Sequence, residues 1–223
     1  MSLSGDGRLW KGAAALALAL LVTACSRTAA SDAVAPQASA EPSLAGLLTR
    51  DGRLRLPANY RQWIFLSSGH GMSYSLAAAK RRALPFDNVF VDPVSYRRFV
   101  ETGTWPDGTI FILEVRQEAH QRSINRHGAF QQGEPTAIEV HAKDSTRFSS
   151  GWAFFSFEGR GPAERIPPSA ECYSCHQKNG AVDTTFVQFY PTLLPLAEMK
   201  RTLSSAYLKQ ARAESAQTAA SAK

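Results

Sequence analysis

The chain has 223 residues, of which 44% are hydrophobic, enough for one substantial core and short of two full domains. Its formal charge of +6 comes from scattered basic residues, with Lys80-Arg81-Arg82 as a short run that reads as a solvated face. Nucleic acid is therefore not expected as a partner.

Arg8 and Lys11 precede an apolar run from Ala13 to Val22, the layout of a secretory signal and too short for a spanning helix. Val22-Thr23-Ala24-Cys25 resembles a bacterial lipobox, in which the cysteine is lipidated and becomes the new N-terminus. The competing reading is an ordinary signal peptide with Cys25 incidental. Ser26 does not look like the aspartate that retains lipoproteins at the inner membrane. The expected location is the periplasmic side of the bacterial outer membrane, or the soluble periplasm without lipidation. Four segments follow: a leader at 1–25, an Ala/Ser/Pro tether at 26–45, a folded domain at 46–209 and a low-complexity tail at 210–223.

Within the domain, Asp51-Gly52 signals a turn, and Arg53 to Leu56 alternates until Pro57. Trp63 to Leu66 reads as a buried strand followed by a loop from Ser67 to Gly71. Asn88 to Val91 is a second strand. Asp92 then caps a helix with Pro93 at its first position, ending near Gly103. Thr109 to Val115 is apolar on both faces and should be the central strand. The polar stretch through His127 and Gln132 reads as a long loop, Thr136 to His141 as a fourth strand and Trp152 to Phe157 as a fifth. A helical segment lies around Leu193 to Leu208, and the residues after Gln210 read as a frayed tail. The pattern is α+β, a mainly antiparallel sheet of about five strands with packed helices.

Late in the chain stands Cys172-Tyr173-Ser174-Cys175-His176. Two cysteines two residues apart with a histidine directly after them form a c-type haem attachment site. The Cys172 and Cys175 thiols add to the porphyrin vinyl groups, and His176 becomes an axial ligand to iron. One covalently attached haem c per chain is expected. A zinc site would need a second cysteine pair, which the chain does not have. His70, His127, His141, Met72 and Met199 are conceivable sixth ligands, although scattered His and Met residues are more often structural.

Several stretches together resemble the cytochrome P-460 family, which includes the β-type cytochromes c′. They are Leu56 to Trp63, Val89 to Pro93 with Tyr96, Asp107-Gly108-Thr109, Lys143-Asp144 with Arg147-Phe148, and Trp152-Ala153-Phe154. The haem segment ending Phe189-Tyr190-Pro191 completes the set. The resemblance implies an antiparallel β fold, a homodimer, and a five-coordinate haem whose open face binds nitric oxide or another small ligand. It also implies an unnamed redox partner and, in cross-linked members, hydroxylamine oxidation.

By position, Cys172, Cys175 and His176 match the attachment and proximal residues, and Glu139 matches the distal proton-accepting glutamate. Leu113 stands where cross-linked members carry a lysine bonded to the porphyrin, and it has no amine. Asp87 falls where they carry a distal arginine. From pattern alone, Glu139 alternates with Ile138 and Val140, so it points away from two core residues and reads as a solvent-facing strand residue. Phe111 and Phe154 read as core residues that could also line a haem pocket.

Overall fold

The computed structural model describes residues 43–73, 83–159 and 161–221. Among them five strands form one antiparallel sheet: β1 (Ile64–His70), β2 (Phe86–Val91), β3 (Ile110–His120), β4 (Ala129–Lys143) and β5 (Trp152–Phe157). They pair in chain order, β1-β2-β3-β4-β5, so β3 is central. Five helices accompany them: α1 (Leu44–Leu47), α2 (Pro93–Thr102), α3 (Glu171–Asn179), α4 (Leu194–Lys200) and α5 (Ser205–Ser221). The fold is α+β, as the sequence pattern requires. The described residues belong to one compact unit, Ala40–Lys223. The leader, Cys25, most of the tether and the Lys80-Arg81-Arg82 run lie outside them.

Side-chain alternation along β3 divides the interior in two. Ile110 and Ile112 meet Val140, Ala142, Phe155 and the N-terminal residues Leu44, Leu47, Leu54 and Trp63 on one face. Phe111 meets Val91, Phe99, Trp105, Trp152 and Tyr190 on the other. Each large side chain buried in this way contributes roughly 1.5–3 kcal/mol. Among the described residues the folded part includes α1, because Leu44 and Leu47 are buried in the first cluster.

Helix α2 has the ends its sequence predicts. Asp92 accepts from the Ser95 N–H at 2.8 Å as N-cap, and its second oxygen accepts from the Ile110 N–H at 2.9 Å. One buried carboxylate therefore starts a helix and ties down the first residue of β3. Gly103 closes the helix in the left-handed conformation, at φ +75°.

Four expectations change. Ser67 to His70 is not a loop but the second half of β1, paired with Val89 to Phe86. Ser and Gly carry little strand signal of their own, and the ladder to β2 decides their conformation. The polar stretch after Val115 is not a long loop either. β3 runs to His120 and β4 starts at Ala129, with Gln117↔Gln132 through His120↔Ala129 paired in a projecting hairpin. Those arms stand clear of both cores, so hydrophobic alternation is missing where backbone pairing persists. The Leu193–Leu208 segment is two helices, interrupted at Arg201, whose φ is +58°. The residues after Gln210 continue α5, none of whose residues is buried, to Ser221, consistent with Ala-rich propensity. Among the described residues no helix is long and apolar enough to cross a membrane.

Candidate haem site

In α3, Cys172, Cys175 and His176 occupy positions i, i+3 and i+4, which places them on one face of the helix. All three line a cavity of about 850 Å³ between α3, the segment after it and one face of the sheet. That volume lies within the ~300–1,000 Å³ range of cofactor sites. Both cysteines are free thiols, and burial raises the Cys172 thiol above its ordinary value. The helix is anchored from the residue between them. The Tyr173 hydroxyl donates to the Ile166 carbonyl at 3.0 Å and accepts from the Phe154 N–H of β5 at 3.3 Å.

His176 is held in one tautomer. Its Nδ1–H donates to the Thr184 carbonyl at 2.7 Å, which leaves the Nε2 lone pair for a metal. Burial lowers its basicity, so the imidazole is neutral and competent to ligate. The Phe186 ring packs 4.2 Å from it and the Phe154 ring 4.7 Å, centroid to centroid. Gly180 makes the Thr184 contact possible. A Cβ there would lie 2.8 Å from the His176 carbonyl oxygen and 2.8 Å from the Thr184 carbonyl carbon. The glycine lets the turn at 182–185 close directly onto the last turn of α3.

Strand register composes the opposite wall. Val89, Leu113 and Glu139 are successive cross-strand partners on β2, β3 and β4, and all three line the cavity. The rung beside them is Phe111, His141 and Phe154. Leu113 is half-buried and presents a branched alkyl group. Glu139 is open to the cavity space yet surrounded by protein, and burial raises its carboxyl above the usual glutamate range. Asp87 and Glu171 also line the cavity, and no Lys or Arg does among the described residues. Phe111 and Phe154 are at once buried and part of this wall.

The candidate sixth ligands separate by position. His70 bonds Glu118 at 2.8 Å, and His127 and Met199 are exposed. His141 is buried against His176 itself, ring centroids 4.9 Å apart, on the side of the imidazole where β4 lies. Met72 borders the cavity. Burial and the neighbouring His176 hold the His141 imidazole well below its ordinary pKa, so it is neutral. Thr184 and Phe186 escaped the sequence reading. Thr184 acts through its backbone carbonyl, which any residue could supply, and Phe186 looks like ordinary core.

The donor set fits a haem. Two thiols and an Nε2 lone pair face a largely apolar cavity of cofactor size, with the imidazole oriented by a backbone acceptor. No curated protein matches this chain. The sequence model of the family described as Cytochrome P460 matches residues 57–187, more than half the chain, including all five strands and most of the cavity wall. The chain belongs to the cytochrome P460 family, a family of haem-binding cytochromes.

Proposed function

We propose that this protein is an exported mono-haem c-type cytochrome that binds nitric oxide, or another small neutral ligand, at a five-coordinate haem. The observation that carries the reading is the cavity shared by Cys172, Cys175, His176, Leu113 and Glu139. Cys172 and Cys175 would hold the macrocycle by thioether bonds, and His176 would supply the axial nitrogen. Haem iron supplies an open coordination position and one-electron chemistry when bound. Leu113 limits the room beside Glu139 and, having no amine, would give a bound haem no third covalent attachment. Glu139, with its carboxyl raised, is suited to accept a proton from a polar substrate such as hydroxylamine. Carboxylates on the wall, with no described Lys or Arg beside them, favour neutral ligands over anions.

The reading includes lipidation at Cys25, an anchor on the periplasmic side of the outer membrane, and a homodimer. Replacement of Cys25 by alanine should move the protein from the membrane fraction to the soluble periplasm.

Absorption spectra of the purified holoprotein test the core of the proposal. A high-spin ferric spectrum and a nitric oxide or carbon monoxide adduct after reduction are expected. Haem should stay with the chain in acid acetone and be released from the Cys172→Ala/Cys175→Ala variant. A second reading, a six-coordinate electron carrier, draws on Met72 at the cavity border. A low-spin ferric spectrum with no adduct after reduction would establish that reading and overturn the first.

A further inference from the structure

Strand β4 is joined to His176 through a single turn. His141 and Lys143 are two residues apart on β4 and engage successive residues of that turn. Lys143 Nζ donates to Asp183 Oδ2 at 2.9 Å and to the Trp105 carbonyl at 2.7 Å. His141 Nε2 lies 3.4 Å from Thr184 Oγ1. Thr184 is the residue whose carbonyl takes the His176 Nδ1–H. The turn is closed by the Thr185 N–H on the Val182 carbonyl at 2.9 Å, and the Thr185 hydroxyl accepts from Trp105 Nε1 at 2.9 Å. Both oxygens of Thr184 are thus committed, the carbonyl to His176 and the hydroxyl to His141.

His141 is also a wall for the axial ring. It stacks on Phe154 at 4.0 Å and 7°, packs on Trp152 at 4.3 Å, and meets His176 edge to face at 73°. A buried imidazole is costly without a hydrogen-bond partner, and an apolar side chain would fill the same space at lower cost. The polar ring at this position therefore asks for a role beyond packing.

We infer that His141 is a positioning residue for the haem iron, acting through Thr184 to fix the orientation and the Nδ1–H hydrogen bond of the His176 imidazole. The inference rests on the proposal that His176 is the axial ligand. The hydrogen bond at Nδ1 raises the basicity of an imidazole ligand, so its geometry sets the iron–imidazole bond strength and the iron potential. A carbonyl held rigidly by β4 keeps that bond short. A carbonyl freed on one side lets it lengthen.

The test uses three holoprotein variants: His141→Phe, which keeps a ring of similar shape; Thr184→Val, which keeps the carbonyl; and the double variant. Haem loading is measured as the pyridine haemochrome per chain. The readouts are the ferrous iron–imidazole stretching band by resonance Raman and the reduction potential. His141→Phe should lower the band and raise the potential, Thr184→Val should shift both the same way, and the double variant should add nothing further. Normal loading of His141→Phe with both readouts unchanged overturns the inference. If that variant fails to load haem, unchanged readouts in Thr184→Val overturn it. A wild-type protein without haem, or without an iron–imidazole band, overturns the proposed function as well, so the two failures are distinguishable.

Discussion

Leu113 and Glu139 are direct partners across the β3–β4 pairing, and both side chains line the same cavity. The pairing sets alkyl groups beside a carboxylate and gives that carboxylate no cation from its own rung, whose other members are Ser67, Val89 and Ser156. Burial therefore raises the Glu139 carboxyl without an opposing charge.

Leu113 leads to a covalent prediction. Proteolysis of the holoprotein should yield one haem peptide, containing Cys172 and Cys175 and no residue of β3. Mass spectrometry of that peptide is the check, and a haem peptide that also carries the Leu113 segment contradicts it.

Glu139 leads to a pH prediction with a definite sign. Its folded-state value is raised, so between the usual and raised values the folded protein holds a proton that the unfolded chain has released. Stability falls as pH rises through that window and stays lowered above it. Glu139→Gln should stabilise the holoprotein at about pH 7 and give no gain at about pH 4, as read by urea denaturation. The gain should be below about 1 kcal/mol, because the carboxylate opens onto the cavity. If Glu139 accepts a proton in turnover, the same variant loses hydroxylamine oxidation while keeping its haem spectrum.

Glu114, next to Leu113 on β3, faces the other side of the sheet and behaves in the opposite way. It is 3% exposed, accepts from Arg61 Nε at 2.8 Å, and is also bonded by Tyr60 and Arg116. Burial pushes its carboxyl up, but the bonds from Arg116, Tyr60 and Arg61 outweigh it and the net value is lowered. That stabilisation is present above the unfolded value and is lost as pH falls through the lowered folded one. Glu114→Gln should cost about 3 kcal/mol near neutral pH and remove part of the acid-induced loss, leaving the haem spectrum unchanged. Denaturation at several pH values with parallel spectra is the measurement.

Gly180 couples stability to the His176–Thr184 contact. A methyl group there would meet backbone atoms of His176 and Thr184 at 2.8 Å, and backbone cannot step aside as a side-chain tip can. Gly180→Ala should cost about 1–3 kcal/mol and displace Thr184 from His176. Denaturation together with the iron–imidazole band should show both effects in one variant.

The elements that the sequence revealed are those specified by neighbours in the chain. Asp92, Pro93 and Gly103 cap and end α2 by local hydrogen bonding and backbone preference. Trp152 to Phe157 is apolar enough to be a strand in any register. The far half of β1 and the hairpin arms were not legible, because Ser68, Gly69, Gln117 and Gln131 take strand geometry from their partners. His141 was visible as a candidate ligand, but its place against His176 was not. That place depends on β4 reaching a turn more than forty residues later in the chain.

By itself the sequence determined that Cys172, Cys175 and His176 share one face of a helix. The spacing of Cys172, Cys175 and His176 puts them on one side of a helix, whatever surrounds it, because helical geometry is local. It also determined that position 113 carries no amine. The tertiary structure decided the rest. Register across three strands brought Val89, Leu113 and Glu139 into one wall, and a one-residue slip would have turned them all away. Folding of the 182–185 turn over Gly180 gave His176 its acceptor and brought His141 to Thr184. Those contacts join residues far apart in sequence, so no local preference encodes them, and packing alone sets the distances that orient the His176 imidazole.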